Sequence, residues 1–338
     1  MAFSSIIGQE EAKKRLGSAL KGLPGHAYVF VGPDGIGKTL LAREFAKALL
    51  CNDPGVDGAC GSCTSCRNFT NQVHPDFRNL QLESKDKVIK VERVRQSVSA
   101  DLNLRPQFGS RKVYLIAADN LNEQGQNALL KSLEEPPDYA CFLLTVTSPE
   151  RLLPTILSRV ALISLRRYCP AQIGAILAAQ GLGSDGQQSF YARFSGGLGG
   201  VAIDLAGSDW FGSLRQDTLK FYQNLSHQSR TALLTAGYQF FDSNRNYTPV
   251  ILDILGSLVR DQMVFSGLRL KENLTNQDQI AILRKSLPES ISPEEARGRL
   301  SRAYAALLAA RRGLNYNASY EGMICNLLLV LRKEFVNA

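Results

Sequence analysis

Residues 32–39 read GPDGIGKT, a complete G-x-x-x-x-G-K-[ST] phosphate loop between the apolar run Ala27–Val31 and the helix-patterned LLAREFAKALL. No other stretch constrains the fold so tightly. Such a loop works only at a strand-to-helix turn, where glycines let backbone N–H groups curl around a polyphosphate and the helix points its positive end at it. An α/β fold is therefore expected. Gly32, Gly35, Ile36 and Gly37 form the cradle, Lys38 is placed to reach the β- and γ-phosphates, and the Thr39 hydroxyl to hold Mg²⁺. ATP or ADP with Mg²⁺ is the expected ligand. The competing reading, a glycine-rich turn that matches by coincidence, is weakened by the strand before it and the helix after it.

Four of the seven cysteines, Cys51, Cys60, Cys63 and Cys66, fall in one short stretch spaced C-x8-C-x2-C-x2-C. The Cys-x-x-Cys pairs bring thiolates to one point, Gly58 and Gly61 permit tight turns, and four thiolates fill a tetrahedral sphere with no position left for water. A structural zinc ion is expected. Two disulfides or a redox dithiol compete with it; a cytosolic setting disfavours the first and the fourfold cluster the second. Cys141, Cys169 and Cys325 stand alone in apolar or mixed surroundings and read as small core residues.

At 338 residues the chain exceeds one ordinary core, and 44% hydrophobic content suits a globular protein of two or three domains. No run of eighteen apolar residues occurs, and the N-terminus MAFSSIIGQEEAKK lacks the apolar core of a secretory signal, so a cytoplasmic protein without a membrane span is expected. The formal net charge of +8 fits a nucleic-acid or acidic partner, although Lys13-Lys14-Arg15 is the longest basic block.

Apolar spacing predicts a helix over residues 9–20, a strand at Ala27–Val31, a strand over 77–82 and a helix over 91–102. Lys112–Ala117 and residues 140–147 read as buried strands, flanking a helix over 122–135 that Pro136 and Pro137 stop. Strands alternating with helices imply a parallel sheet covered on both faces. Beyond Leu165 strand-like runs give way to helical ones, broken by glycines at 181–186 and 196–200. The expected division is a phosphate-loop domain with its cysteine knuckle over 1–165, a small helical lid over 166–207, and an all-helical domain over 208–338. Two of the last domain's helices, 249–268 and 293–314, open on prolines suited to a first turn.

A phosphate loop on such a sheet with a helical lid resembles the AAA+ ATPases. The four-cysteine knuckle after the loop's helix, followed by His74-Pro75-Asp76, is similar to the clamp-loader subunits of bacterial DNA polymerase III, as are NALLKSLEEPP at 127–137 and LLPTILSRV at 152–160. The phrase Ile6-Ile7-Gly8-Gln9 resembles the family's adenine-side segment, which puts Ile6 and Ile7 beside the nucleotide. The likeness covers roughly residues 1–207; the C-terminal third, which the resemblance makes part of an oligomeric collar, matches in type and position.

In the family's ATPase subunits the strand equivalent to VYLI is followed by an Asp-Glu pair that supports Mg²⁺ and activates water. Here Val113 to Ile116 are followed by Ala117-Ala118-Asp119, and Asp119 reads as a helix-start residue before the helix at 122. Residues 195–202, SGGLGGVA, carry no basic residue where active relatives place an Arg that senses the γ-phosphate. Both departures imply a site that binds nucleotide and hydrolyses it poorly. Ser158-Arg159 is retained, with Val160 where the family usually has Cys. In clamp loaders this Arg projects into a neighbouring subunit's ATP site, a task that suits its planar, permanently charged fork. On position alone, a surface Arg favoured near a helix C-terminus competes with that role for Arg159.

The resemblance thus implies a stator-type subunit with weak or absent ATPase activity of its own. Its implied partners are the other loader subunits (gamma/tau and delta), the sliding clamp and, through the complex, primer-template DNA. Two other readings are an ATP-hydrolysing gamma/tau-type motor, which needs the missing carboxylate and normally a longer tail, and a different AAA+ DNA-dependent ATPase, against which the knuckle and the SLEEPP helix argue.

Overall fold

The computed structural model describes residues 3–22, 24–55, 57–83, 86–268, 273–285, 292–314, 316 and 319–335. Its contacts divide the chain into two compact units, Met1–Ile176 with Ser195–Val201, and Leu177–Phe194 with Ala202–Ala338, so residues 166–207 are shared between both.

The first unit is built on a five-stranded sheet of β1 (Ala27–Val31), β2 (Phe77–Leu80), β3 (Lys112–Ala117), β4 (Ala140–Val146) and β5 (Ala161–Ser164), in the order β2-β3-β4-β1-β5. Every pairing is parallel. All residues of β1 and β4 are buried, as a parallel sheet covered on both faces requires. Along β1, Tyr28 and Phe30 point to one face, where the Tyr28 ring meets Phe45 of α2 (Lys38–Leu49) edge-on at 5.0 Å. Val29 and Val31 point to the other, joining Ile116, Leu144, Leu129, Leu133 and Ile156 in one core beneath α5 (Glu123–Glu134) and α6 (Pro154–Leu157).

The helix expected from residue 9 runs as α1, Glu10–Lys21, and Gln9 instead takes a left-handed conformation at φ 58°. The helix expected over 91–102 is α4 (Val91–Val94) continued by a widened turn, Arg95–Ala100, and a tight one, Asp101–Asn103. Strand β5 goes beyond the sequence-based expectation: only Ile163 of its four residues is buried, so it lacks the apolar run that marked the others. At the opposite end, buried Asp101 accepts hydrogen bonds from Lys112 Nζ (3.0 Å), Tyr114 Oη (2.9 Å) and Arg78 Nη2 (2.8 Å), stitching β2 and β3 to the helical segment.

The second unit is helical: α8 (Asp185–Phe194), α10 (Asp209–Asn224), α11 (Arg230–Ala232), α12 (Tyr238–Ser243), α13 (Thr248–Leu268), α14 (Ile280–Lys285), α15 (Pro293–Gly313) and α16 (Tyr320–Phe335), with α7 (Pro170–Ala179) and α9 (Gly199–Ala206) crossing the unit boundary. The expected prolines stand in the first turns of α13 and α15. Ile251, Ile254, Leu255 and Leu258 of α13, Leu300, Ala303 and Leu307 of α15, and Ile324, Leu327 and Leu328 of α16 are buried at helical spacing. The Arg215 guanidinium lies 3.6 Å over the Phe190 ring and pairs with Asp278 at 2.8 Å. Fully buried Asp261 accepts the N–H groups of Thr275 and Asn276.

Cys141 is buried as expected, Cys325 only in part. Cys169 is exposed, which corrects its reading as a core residue: it sits in the connection ahead of α7, where its N–H is held by the Gln172 side chain. Among the described residues, no helix is long and apolar enough to cross a membrane.

Candidate functional site

The phosphate loop leaves β1 between its neighbours β4 and β5, the crevice at strand C-termini where α/β sheets present ligand sites. The Gly32 N–H donates to Val146 O at the end of β4, at 3.1 Å. Gly35 at φ 75° and Gly37 at φ 101° adopt left-handed conformations, and α2 starts immediately at Lys38. Ile36, 1% exposed, anchors the loop from below. Lys38 Nζ donates to Gly32 O at 2.6 Å and lies 3.1 Å from the Asp34 carboxylate, spanning the loop from inside, while Thr39 is exposed in the first turn. Donors, a flexible cation and a helix N-terminus thus converge where a polyphosphate would lie.

Ile6 is buried and Ile7 half-buried. Their segment is fixed by Lys13 Nζ donating to Ile6 O at 2.9 Å, and by Gln9, whose amide donates to Arg166 O (2.7 Å) and accepts from Arg166 N (3.0 Å). Tyr168, which sequence reasoning missed, joins this segment to the loop: its ring packs on Gly8 and its hydroxyl approaches Gly37. No local pattern marks such a residue, because its role comes from packing against segments far away in the chain.

Asp119 corrects its sequence-based reading. The N-cap of α5 is Asn122, whose Oδ1 accepts from Gly125 N at 2.8 Å. Asp119 instead accepts from Thr147 N at 2.7 Å and Thr147 Oγ1 at 2.9 Å, tying the end of β3 to the end of β4. Both of its oxygens are therefore engaged. Arg159 follows α6; its Nη1 donates to Thr155 O (2.8 Å) and Ser158 Oγ (3.0 Å), and its Nη2 pairs with Glu134 at 3.0 Å. The guanidinium is partly exposed and held by α5 and α6.

The four cysteines meet: one sulfur from each of Cys51, Cys60, Cys63 and Cys66 lies within 4.8 Å of the others. Two sulfur pairs, Cys51–Cys63 and Cys60–Cys66, are 3.9 Å apart. A zinc tetrahedron with bonds of ≈ 2.3 Å has edges of about 3.8 Å, so the donor set fits that ion in number, softness and spacing. Gly61 turns the chain at φ 79° between the ligands, and Cys63 caps α3 (Thr64–Thr70). Backbone N–H groups of Cys63 and Ser62 bring the Cys60 thiol down to about 6. Burial opposes the same shift at Cys63, yet the N–H groups of Asn52 and Cys66 lower that thiol too. Burial pushes Cys51 and Cys66 up. A bound metal would deprotonate this second pair outright.

His74-Pro75-Asp76 ties the knuckle to the sheet. His74 Nδ1 accepts from Asp76 N at 3.1 Å, which leaves the proton on Nε2, 2.9 Å from Ser65 Oγ; Ser65 Oγ donates to Leu50 O. The Asp76 carboxylate accepts from Gln107 N (2.8 Å) and Phe108 N (2.7 Å).

Comparison with known proteins agrees with this geometry. The family model described as DNA polymerase III, delta subunit, matches residues 8–168. The delta-prime subunit of Pseudomonas aeruginosa DNA polymerase III is 44% identical over 146 residues, 43% of each chain. The Escherichia coli tau subunit is 38% identical over 173 residues, 51% of this chain and 26% of tau. These alignments span less than half the length of either relative. The Bacillus subtilis delta-prime subunit is 26% identical over 311 residues, 91% of each chain. With its knuckle, its phosphate loop and an alignment to a delta-prime subunit along nearly its whole length, the chain belongs to the clamp-loader subunits of DNA polymerase III and is delta-prime-like among them.

Proposed function

We propose that this chain is the stator of a bacterial clamp loader, a subunit that docks beside an ATPase subunit of the gamma/tau kind and lends it Arg159. The observation that carries this reading is the end of β3. Ala117 and Ala118 stand where a water-activating pair is needed, and Asp119 is occupied by Thr147. Phosphoryl transfer depends on positioning and charge stabilisation, and a site without its water-orienting carboxylate cannot supply them alone. In this reading the phosphate loop binds ATP or ADP with Mg²⁺ weakly, the four cysteines hold a structural zinc, and residues 208–338 form the oligomeric collar. Gamma/tau, delta, the sliding clamp and primer-template DNA are the proposed partners. The division into residues 1–165, 166–207 and 208–338 is proposed on the same functional grounds.

Two measurements test it. The isolated protein should show no steady-state ATP turnover; a rate of about 1 s⁻¹ or more that survives stringent repurification would assign the chain to the motor class instead. In a reconstituted loader, Arg159→Ala should assemble normally yet load clamps poorly. An arginine finger contributes roughly 10³–10⁵-fold at its own site, so bulk hydrolysis, shared with other sites, should fall only in part. Arg159→Lys should rescue incompletely, because an ammonium cannot reproduce the two-pronged grip. An Arg159→Ala loader that loads clamps at the wild-type rate would leave Arg159 a surface residue.

A further inference from the structure

Within the first unit, the Ser195–Val201 segment folds down onto the phosphate loop. The Gly200 N–H donates to the Gly35 carbonyl at 2.7 Å. Gly200 is the second residue of α9, and N–H groups in a first helical turn have no partner within their own helix. The loop supplies that partner. The contact requires glycine for space: a Cβ on Gly200 would stand 3.0 Å from Gly35 Cα and 3.1 Å from its carbonyl oxygen. Gly200 is not among the glycines with positive φ, so a side chain there is excluded by the loop and not by the backbone. From the opposite side, a Cβ on Gly35 would meet Val201 Cγ2 at 3.0 Å and would be strained at φ 75° besides. Tyr168, 9% exposed, extends the contact. Its ring lies 2.9 Å from the Cβ position of Gly8, and its hydroxyl 3.6 Å from that of Gly37. The phenol therefore fills the interval between the adenine-side segment and the loop, the interval a nucleoside would need.

We propose that Ser195–Val201 and Tyr168 form a latch that holds the phosphate loop closed, so that nucleotide enters only when the Gly200–Gly35 hydrogen bond opens. This rests on reading Gly32–Thr39 as a nucleotide site. A ligand that binds only the open form has its affinity reduced by the open fraction, so a latch open about 1% of the time weakens binding roughly 100-fold. Such a chain keeps one conformation through its neighbours' nucleotide cycle and offers Arg159 from a fixed frame.

The test titrates ADP with Mg²⁺ by calorimetry into the full chain and into Gly200→Ala and Gly200→Leu, each also carrying Lys38→Ala. Gly200→Leu should bind ADP at least 10-fold more tightly than wild type, with Gly200→Ala between them, and Lys38→Ala should abolish the gain. Equal, Lys38-dependent affinity in wild type and Gly200→Leu would overturn the latch while leaving the nucleotide site standing. Failure of every variant to bind, or binding indifferent to Lys38→Ala, would remove the nucleotide-site reading and the latch's function with it. A measurement on wild type alone guards against a misfolded variant. The Gly200 amide should be protected from hydrogen exchange in the free chain and lose that protection at saturating ADP. A Gly200 amide that exchanges freely, or is equally protected in both states, would overturn the proposal.

Discussion

Asp101 is a nearly buried carboxylate held by three donors, from Lys112, Arg78 and Tyr114. Burial alone would raise its carboxyl, but those hydrogen bonds outweigh it and hold the group below the usual carboxylate range. Because the folded value is depressed, the stabilisation is fully present above the unfolded value of about 3.9 and is lost as pH falls through the lower folded value. Asp101→Ala leaves Lys112, itself 3% exposed, without its counter-charge, and such a change should cost about 3–5 kcal/mol in urea unfolding at neutral pH. That cost should shrink as the pH is taken well below 4. The knuckle cysteines permit a second prediction. Cys63→Ser removes one of four ligands, so metal analysis should fall from one equivalent of zinc to far less, while far-UV circular dichroism keeps the helical and sheet signal. Zinc retention in the native protein should weaken as pH drops below about 6, where even the most acidic thiol, Cys60, takes up its proton.

The caps and strand ends show where local chemistry sets an element and where it does not. Asn122 Oδ1 satisfies the Gly125 N–H at the start of α5, and Asn122→Ala should lower unfolding free energy by ~1 kcal/mol, read from the denaturant midpoint. That cap, the limits of β1 and β3 and the prolines of α13 and α15 were legible in the sequence, because each depends on residues adjacent in the chain. The cysteine cluster was legible for the same reason: its spacing alone brings four sulfurs together. Strand β5 was not. ALIS buries only Ile163, and it becomes a strand because β1 offers it a partner edge. The role of Asp119 was hidden likewise, since Thr147 lies 28 residues further on and only the sheet brings them together. Tyr168 and Gly200 depend on an encounter between the phosphate loop and a segment more than 130 residues away.

At the scale of the molecule, the two compact units have separate cores, one around the sheet and one among α13, α15 and α16. Calorimetry should therefore depart from a single two-state transition, with Asp101→Ala lowering one component and Leu328→Ala, which deletes a fully buried side chain, lowering the other. If both substitutions shift one indivisible transition, the units unfold together. The strand order has a further consequence, for the chain as it is made. Strand β1 is wholly buried, yet its two neighbours, β4 and β5, begin only at Ala140 and Ala161. At ~5–20 residues per second the ribosome needs roughly 5–20 s to get from Val31 to Ala140. Throughout that interval the most apolar strand of the sheet has both edges unpaired outside the exit tunnel, a standing invitation to chaperones and to aggregation. Chains stalled on the ribosome with β4 still inside the tunnel should be cut by protease near Tyr28 and Phe30, and chains stalled once β5 has emerged should resist, which makes translation speed across residues 32–160 a determinant of soluble yield.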